Sequence, residues 1–363
     1  MKAVARMRRS EPPFSLCRES SDRGVAWIVN LRKIAEIAGT SHTTVSRALN
    51  GSPLVADATR ERIIGIAREM GYQLDAGARS LSTGVRMTIG LLYSFHADRQ
   101  LESMYTAQLM HLISGSLAGR GFDTMIEGFD IDTDDTAKIL RMVRQKKADG
   151  VLIIGYEVSE GLAEEIHTVT DKCVFINPAY APWVERYPAV LVDHRRGGRL
   201  AAEVLIERGC TRLATISEDD PQFRVRVEGF AAEAARHELK LDPEYDRFLV
   251  GDGTYETAYS FGVEHFDTLR RFDGLFVGSD VSAIGVMNAL LDYGVRIPSD
   301  IALIGYDDVE WSGYLRPALT TIHQPKAEIA EAAAEEIVRR VLGEGESELT
   351  ETLNPVLVRR SSA

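Results

Sequence analysis

Cysteine is scarce in this 363-residue chain, and what there is does not pair: Cys17, Cys173 and Cys210 are odd in number and form no Cys-x-x-Cys motif. Neither a zinc site nor a disulfide framework is expected, and a reducing, cytoplasmic compartment fits. No apolar run reaches membrane-spanning length. The basic start (Lys2, Arg6, Arg8, Arg9) leads into a polar, Pro-containing stretch where a signal peptide needs an apolar one. Residues 1–28 are expected to be a disordered extension or the product of a misassigned start codon. Catalytic motifs are missing too: there is no Gly-x-Ser-x-Gly elbow, no His-Glu-x-x-His pair and no Gly-x-Gly-x-x-Gly after a strand. The run FDIDTDD imitates a calcium loop at Asp130, Asp132 and Asp134, but Asp135 stands where the loop needs glycine and Arg141 where it needs glutamate. No metal, no cofactor and no enzyme activity are expected.

Net positive charge is also lacking, at −12 overall, which argues against a uniform nucleic-acid binder. The charge is unevenly divided, however. Residues 1–86 hold 14 Lys/Arg against 8 Asp/Glu, a surplus of six, and the remainder holds 28 against 46, a deficit of eighteen. A basic module on an acidic body is the footprint of nucleic-acid binding confined to one domain.

That module contains VNLRKIAEIAGTSHTTVSRALN, residues 29–50. Asn30 suits an N-cap for a helix whose apolar residues Ile34, Ala35, Ile37 and Ala38 recur at helical spacing. Gly39-Thr40 breaks it and Ser41 caps a second helix. Val45, Ala48 and Leu49 should pack on the first helix, leaving His42, Thr43, Ser46, Arg47 and Asn50 facing away. Polar side chains near the N-terminus of a second helix are what a helix-turn-helix needs to reach base edges. An ordinary helical hairpin is the alternative. A third amphipathic helix follows, with Ile63, Ile66, Ala67 and Met70 inward and Gly71 as its stop.

Residues 29–92 resemble the DNA-binding headpiece, hinge and first core strand of the LacI family of bacterial transcription regulators. The resemblance continues through ADGVLIIG, RVRVEGF and VRIPSDIALIGYDDVEW…LTTIHQP, and only residues 1–28 fall outside it. It implies a small all-α helix-turn-helix domain followed by an α/β two-lobed core of periplasmic-binding-protein type I. The implied limits are a headpiece at 29–74, a hinge helix and linker at 75–86, and a core at 87–363. Asn30, Ser41, His42, Thr43, Thr44, Ser46, Arg47 and Asn50 form the expected DNA-contacting set, with Arg79 and Leu81 in the hinge. Leu81 would wedge the minor groove, or else pack on the core as a linker residue. Leu74, Asp75 and Gly77 depart from the family's hinge pattern, so this hinge should order only on DNA.

From residue 87 short apolar strands alternate with amphipathic helices, the pattern of parallel βαβ units. Strands are expected at 87–93, 122–127, 149–154, 172–176, 189–192, 211–216, 246–250, 273–277 and 301–305. Helices are expected at 103–119, 134–147, 196–208, 224–239, 256–270 and 281–293. The resemblance implies three crossings between lobes, near Ala189, Ile322 and Leu353. One lobe would span about 87–188 plus 323–350, and the other 190–321 plus 353–363.

Ligands of such sheets bind outside the carboxyl ends of the strands. The resemblance assigns Arg226 and Asp307 to an effector, on opposing loops, where a guanidinium fork and a carboxylate suit a polyhydroxylated ligand. Ser94 and Asn177, each ending a strand, are further candidates; Asp280 is either an effector contact or a helix N-cap. Family members often carry a ring after Gly-Asp in the stretch GDGTYETAYSFG, but Gly253 stands there and the nearest ring is Tyr255. The expectation is a homodimeric repressor released from a palindromic double-stranded DNA operator by a small carbohydrate-type effector. The alternatives are a co-repressor-dependent regulator answering a nucleobase, and a cytoplasmic sugar-binding or enzymatic α/β protein with a vestigial headpiece.

Overall fold

A computed structural model describes residues 31–49, 52, 54–72, 84–95, 104–130, 136–155, 158–178, 182–345 and 350–363. The described residues divide into two compact units, before and after Gly84.

The first unit contains three helices, α1 (Leu31–Ala38), α2 (His42–Leu49) and α3 (Asp57–Glu69). Ile34, Ala35 and Ala38 close with Val45, Ala48, Val55, Ile63 and Ala67 into one small core, with Ile66 and Met70 at its margin. Ile37, expected on this seam, is 53% exposed. At about 100° per residue the seam centres between Ile34 and Ala35, and Ile37 lies about a quarter-turn or more away. Gly39 ends α1 at φ +59°, a left-handed conformation glycine adopts without strain, and Thr40 N–H bonds back to the Ala35 carbonyl at 3.0 Å. Arg62 of α3 donates to the Ala38 carbonyl at 2.9 Å, closing the same helix end from outside.

The second unit holds two six-stranded sheets. Strands β1 (Thr88–Phe95), β2 (Asp123–Asp130), β3 (Gly150–Ile154), β4 (Cys173–Ile176) and β5 (Ala189–Val192) join β11 (Thr350–Leu353) in the order β11-β5-β4-β3-β1-β2. Strands β6 (Leu213–Ser217), β7 (Arg247–Leu249), β8 (Gly274–Val277), β9 (Ala302–Asp307) and β10 (Thr320–His323) join β12 (Val356–Val358) in the order β12-β10-β9-β8-β6-β7. Pairing is parallel throughout except for β12 on β10. A separate apolar cluster covers each face of each sheet, as parallel sheets require.

The expected lobe limits shift by a few residues. Strand β5 still pairs with β4 and β11 (Phe175 opposite Ala189, Leu353 opposite Val192), so the chain leaves the first sheet after Val192. It returns after His323 into helix α12 and crosses again after Leu353. Helices α4 (Met104–Gly119), α5 (Thr136–Arg144), α6 (Glu160–Val169), α7 (His194–Glu207), α8 (Pro221–Arg236), α9 (Tyr255–Glu264), α10 (Phe266–Leu269), α11 (Asp280–Asp292) and α12 (Lys326–Leu342) fill the crossovers. Helix α8 starts three residues earlier than its periodicity predicts. Asp220 caps it, accepting from Gln222 N–H at 2.8 Å, and Pro221 takes the first turn, where its missing N–H costs nothing.

Candidate functional site

On α2, Ser41 accepts from Thr44 N–H at 3.1 Å, and the two hydroxyls lie 2.8 Å apart. These two expected DNA contacts thus also form the cap that sets the helix start. Beyond the cap, His42, Thr43 and Arg47 are exposed, Ser46 is half-buried, and Val45 and Ala48 are buried. The expected polar face therefore stands clear of the seam. Asn30, Asn50, Arg79 and Leu81 lie outside the described residues.

In the core, polar side chains gather at the carboxyl edge of the second sheet. What puts them there is a glycine seam between α7 and α8. A β-carbon on Gly198 would fall 1.9 Å from the Arg226 carbonyl, and one on Gly229 would fall 2.0 Å from the Arg195 carbonyl. A β-carbon on Gly197 would meet the Tyr306 hydroxyl at 2.4 Å. The two helices therefore approach backbone to backbone, which brings Arg226 on α8 and His194 on α7 against Tyr306 on β9.

Arg226 is buried, with its guanidinium 3.9 Å from the Tyr306 ring centre and 4.6 Å from that of Phe223. Its Nη1 donates to the Gly278 carbonyl at 2.6 Å and its Nε to His194 Nδ1 at 3.4 Å. A guanidinium N–H can only donate, so Nδ1 is the acceptor, and the neutral ring carries its proton on Nε2, which is buried without a partner. Burial, and next the Arg226 charge, hold His194 well below the ordinary histidine range.

Asp307 faces Arg226 at 3.8 Å. Its Oδ1 accepts from Gln324 Nε2 at 2.7 Å, and its carbonyl accepts from Lys326 Nζ at 2.6 Å. The backbone is left-handed at both Asp307 (φ +113°) and Asp308 (φ +51°), a strain that the surrounding bonds over-determine. Burial pushes the Asp307 carboxyl up and the Lys326 ammonium down. Asp308, by contrast, is held down to about 2: burial opposes this, but hydrogen bonds from His323 and Arg360 outweigh it.

The first lobe contributes Asn177 and Tyr105. Asn177, left-handed at φ +48°, donates from Nδ2 to the Tyr105 hydroxyl at 2.9 Å. Its carbonyl accepts from Gln222 Nε2, on α8, at 2.7 Å, so the two lobes touch directly here. Burial raises the Tyr105 pKa. Asn177 Oδ1 and Gln324 Oε1 are buried with no partner. Unpartnered buried acceptors are costly, and their residues are tied to the Arg226–Asp307 cluster, Gln324 through Asp307 and Asn177 through Gln222 on the helix that carries Arg226, an arrangement suited to a small polar ligand.

Several expectations change at this point. Arg226 and Asp307 are not on opposing loops: both belong to the second lobe, one helix away from each other. Asp280 is not the N-cap of α11, a place taken by Ser279. Both carboxylate oxygens of Asp280 are engaged inside the protein, accepting from Val309 N–H at 3.0 Å, Ser312 Oγ at 2.6 Å and Thr321 Oγ1 at 2.6 Å. Burial, and next the Asp307 charge, push it up to about 7 against those bonds. Its role is to pin the loop after β9. Phe230 of RVRVEGF is a core residue stacked on Phe276 at 5.1 Å. Tyr255 stacks on Tyr259 and accepts from Asn288, along α9 and α11. Ser94 pairs with Phe129 in the strand register, and its side chain is outside the described set. The sequence reading missed Tyr105, His194, Gln222, Gln324 and Lys326. Gln324 and Lys326 lie within or just beyond the LTTIHQP motif and His194 just before RRGGR; Tyr105 carries no such signal.

Comparison with known proteins agrees with both halves. Residues 30–75 match a family model described as "Bacterial regulatory proteins, lacI family", and residues 202–363 match "Periplasmic binding protein-like domain". The chain is 30% identical over 340 residues to the HTH-type transcriptional repressor PurR of Aliivibrio fischeri (strain ATCC 700601 / ES114), covering 92% of this chain and 98% of that protein. It is 29% identical over 338 residues to the ribose operon repressor of Escherichia coli K12, covering 93% and 100%. Among solved structures, a transcriptional regulator CelR–cellobiose complex superposes with a TM-score of 0.69 at 25% identity, over 92% of this chain and 100% of that one. The lac repressor dimer bound to operator and the anti-inducer ONPF shares the fold, with a TM-score of 0.74 at 22% identity over 92% and 98%. The helix-turn-helix, the two-sheet core and relatives matched almost end to end lead to one conclusion: this chain belongs to the LacI family of bacterial regulatory proteins and is a DNA-binding transcriptional repressor.

Proposed function

We propose that the protein is a cytoplasmic homodimer, without enzymatic activity, that binds a palindromic operator through α2 and is released from it by a small carbohydrate-type effector. His42, Thr43 and Arg47 read base edges, with Arg47 able to give guanine a bidentate pair. A single headpiece of this size binds weakly, and a two-fold dimer on a palindrome supplies the missing affinity. The exposed Trp311 (58%) and Tyr314 (68%), in and beside the short turn Glu310–Gly313, support a self-association face on the core. The proposed limits remain a headpiece ending near 74, a hinge at 75–86 and a core from 87.

The observation that carries the effector reading is the buried Arg226–Asp307 cluster with its unpartnered acceptors on Asn177 and Gln324. Hydroxyl groups donate to such acceptors, and the guanidinium donates its N–H groups to the hydroxyl oxygens in return. Tyr105 and Asn177 from one lobe, with Gln222 and Arg226 from the other, let a ligand bias lobe closure, because it contacts both sides. Relatives named for a ribose operon and for a cellobiose complex support a carbohydrate.

Fluorescence anisotropy on the DNA upstream of the protein's own gene, with and without ribose, cellobiose and purines, is the test. A sugar should weaken operator binding by about 5–150-fold, the usual range of allosteric coupling. A purine that strengthens it would overturn both the ligand class and the sign of the response.

A further inference from the structure

We infer that helix α12 joins the Arg226–Asp307 cluster to the point where the chain from the headpiece enters the core, and that Asp149 is the positioning residue at its far end. This names the regulation of the cleft proposed above and rests on that reading.

Helix α12 begins at the cleft. Lys326, its first residue, donates from Nζ to the Asp307 carbonyl at 2.6 Å and to the Asp308 carbonyl at 3.2 Å. A ligand that moves the left-handed turn at Asp307 and Asp308 therefore moves the start of the helix. With about 1.5 Å of rise per residue, its 17 residues span about 25 Å. Ile329, Ala330, Ala333, Ile337 and Val341 bury one continuous face in the first lobe. The last turns arrive on Gly150, the first residue of β3, at the amino edge of the first sheet. A β-carbon on Gly150 would lie 2.9 Å from Ile337 Cδ1 and 3.0 Å from Val341 Cγ2, so this contact has no slack. A packed helix with a fixed contact at each end is the kind of rigid element that carries coupling between distant sites.

Gly150 is preceded by Asp149, the acid of the ADGVLIIG stretch. Its carboxylate accepts from Arg86 N–H at 2.8 and 2.9 Å and from Thr88 N–H at 3.1 Å. Its own N–H donates to the Thr88 carbonyl at 2.8 Å. Between those two amides Met87 is left-handed at φ +60°, which a residue with a β-carbon keeps only where its surroundings impose it. Val85 and Met87 pack on the same apolar cluster as Ile337 and Val341. Residues 85–88 are where the chain arriving from the first unit joins the second. One Asp-Gly pair thus separates the last turns of α12 from the entry of the headpiece chain.

The simpler account is that Asp149 only closes a sheet edge. The second lobe supplies the control. Asp273, before Gly274 and β8, accepts in the same way from Thr211 and Arg212 N–H at 2.9 and 2.8 Å, on a strand that follows α7 and not the headpiece. Full-length wild type, Asp149→Asn, Asp273→Asn and Lys326→Met are compared, with thermal melts as the folding control; if Lys326→Met does not fold, Lys326→Gln takes its place. Amide exchange read by mass spectrometry needs no ligand and tests the helix. Lys326→Met should speed exchange over residues 85–88 by about tenfold or more and leave 211–213 as in the wild type. Anisotropy on operator DNA with ribose, cellobiose and adenine tests Asp149. Asp149→Asn should shrink a ligand response of about 5–150-fold to less than about twofold, with ligand affinity in calorimetry unchanged, while Asp273→Asn responds as the wild type does. Unchanged exchange over 85–88 overturns the link through α12. An unchanged ligand response in Asp149→Asn, or an equal loss in Asp273→Asn, overturns the role of Asp149. If none of the three ligands changes wild-type operator binding, the effector reading fails on its own, and exchange still decides the link.

Discussion

The exposed face of α2 and the buried Arg226–Asp307 cluster use polar side chains in opposite ways. On α2 the groups that matter are exposed and emerge from a seam that hides only small and medium apolar residues, Val45 and Ala48 on this helix. In the cleft the groups that matter are buried, and their meaning lies in which of them are satisfied. Asp280 has three donors and is held inside the protein; Asn177 Oδ1 and Gln324 Oε1 are buried with none. A large, rigid, charged partner such as DNA is recognised by whatever protrudes. A small molecule is recognised by what the fold leaves unpaired. Losing an exposed group that caps no helix should therefore cost binding only, and losing a buried one should cost stability as well.

The largest expected effect tests the buried half. Arg226→Ala leaves Asp307 facing no guanidinium and should lower core stability by about 3–5 kcal/mol while abolishing the effector response. Denaturant unfolding and ligand calorimetry check this; a stable, responsive variant would make the cleft an ordinary surface. Next comes Ile34→Ala, which opens the headpiece core at a cost of about 2–5 kcal/mol. Operator binding should vanish while effector binding persists, read by anisotropy and calorimetry on one sample. Arg47→Ala should cost about 1–3 kcal/mol in specific binding and relax preference at one base per half-site, with melting unchanged. A randomised-site selection with unaltered preferences would remove Arg47 from the reading face. Ser41→Ala, loss of a cap, should destabilise the headpiece by about 1 kcal/mol, seen as a lower headpiece melting temperature in circular dichroism. The smallest effect is a pH slope. His194 is kept neutral when folded and takes a proton on unfolding once the pH falls below about 6.5. Core stability should therefore decline as the solution is acidified through that range, and His194→Gln should flatten the decline; parallel slopes in the two proteins would contradict the assignment.

How much could be read from the sequence follows the same division. Headpiece structure is local: periodicity, a glycine stop and a serine cap place α1 and α2 within a residue or two. Ile37 was misplaced because i, i+3 spacing does not say where the centre of the buried arc falls. Most core strands and helices were also legible, since parallel strands are continuous apolar runs. The lobe limit near Ala189 was not, because β5 is held by β4 and β11, and β11 lies some 160 residues further along the chain. Arg226 and Asp307 are named through motifs, but their shared lobe and their mutual approach are not legible there. Tyr105 meets Asn177 from 72 residues away, and nothing in the local pattern around either residue announces that meeting. As an N-cap, Asp280 is one position off: the helix begins at Asp280, one residue before the expected 281, and the capping oxygen belongs to its neighbour Ser279.

The glycine seam between α7 and α8 has a consequence for anyone wishing to retune this protein as a sensor. It acts as a ruler with no play in it. Gly197, Gly198 and Gly229 fix the spacing of two helices to the thickness of a backbone, and Arg226 and His194 inherit their coordinates from that spacing. A library that varies these three positions would sample mostly collapsed clefts, however well its members suit a new ligand. Diversity placed instead at Gln222 and Tyr105 would leave the gauge that sets its geometry intact.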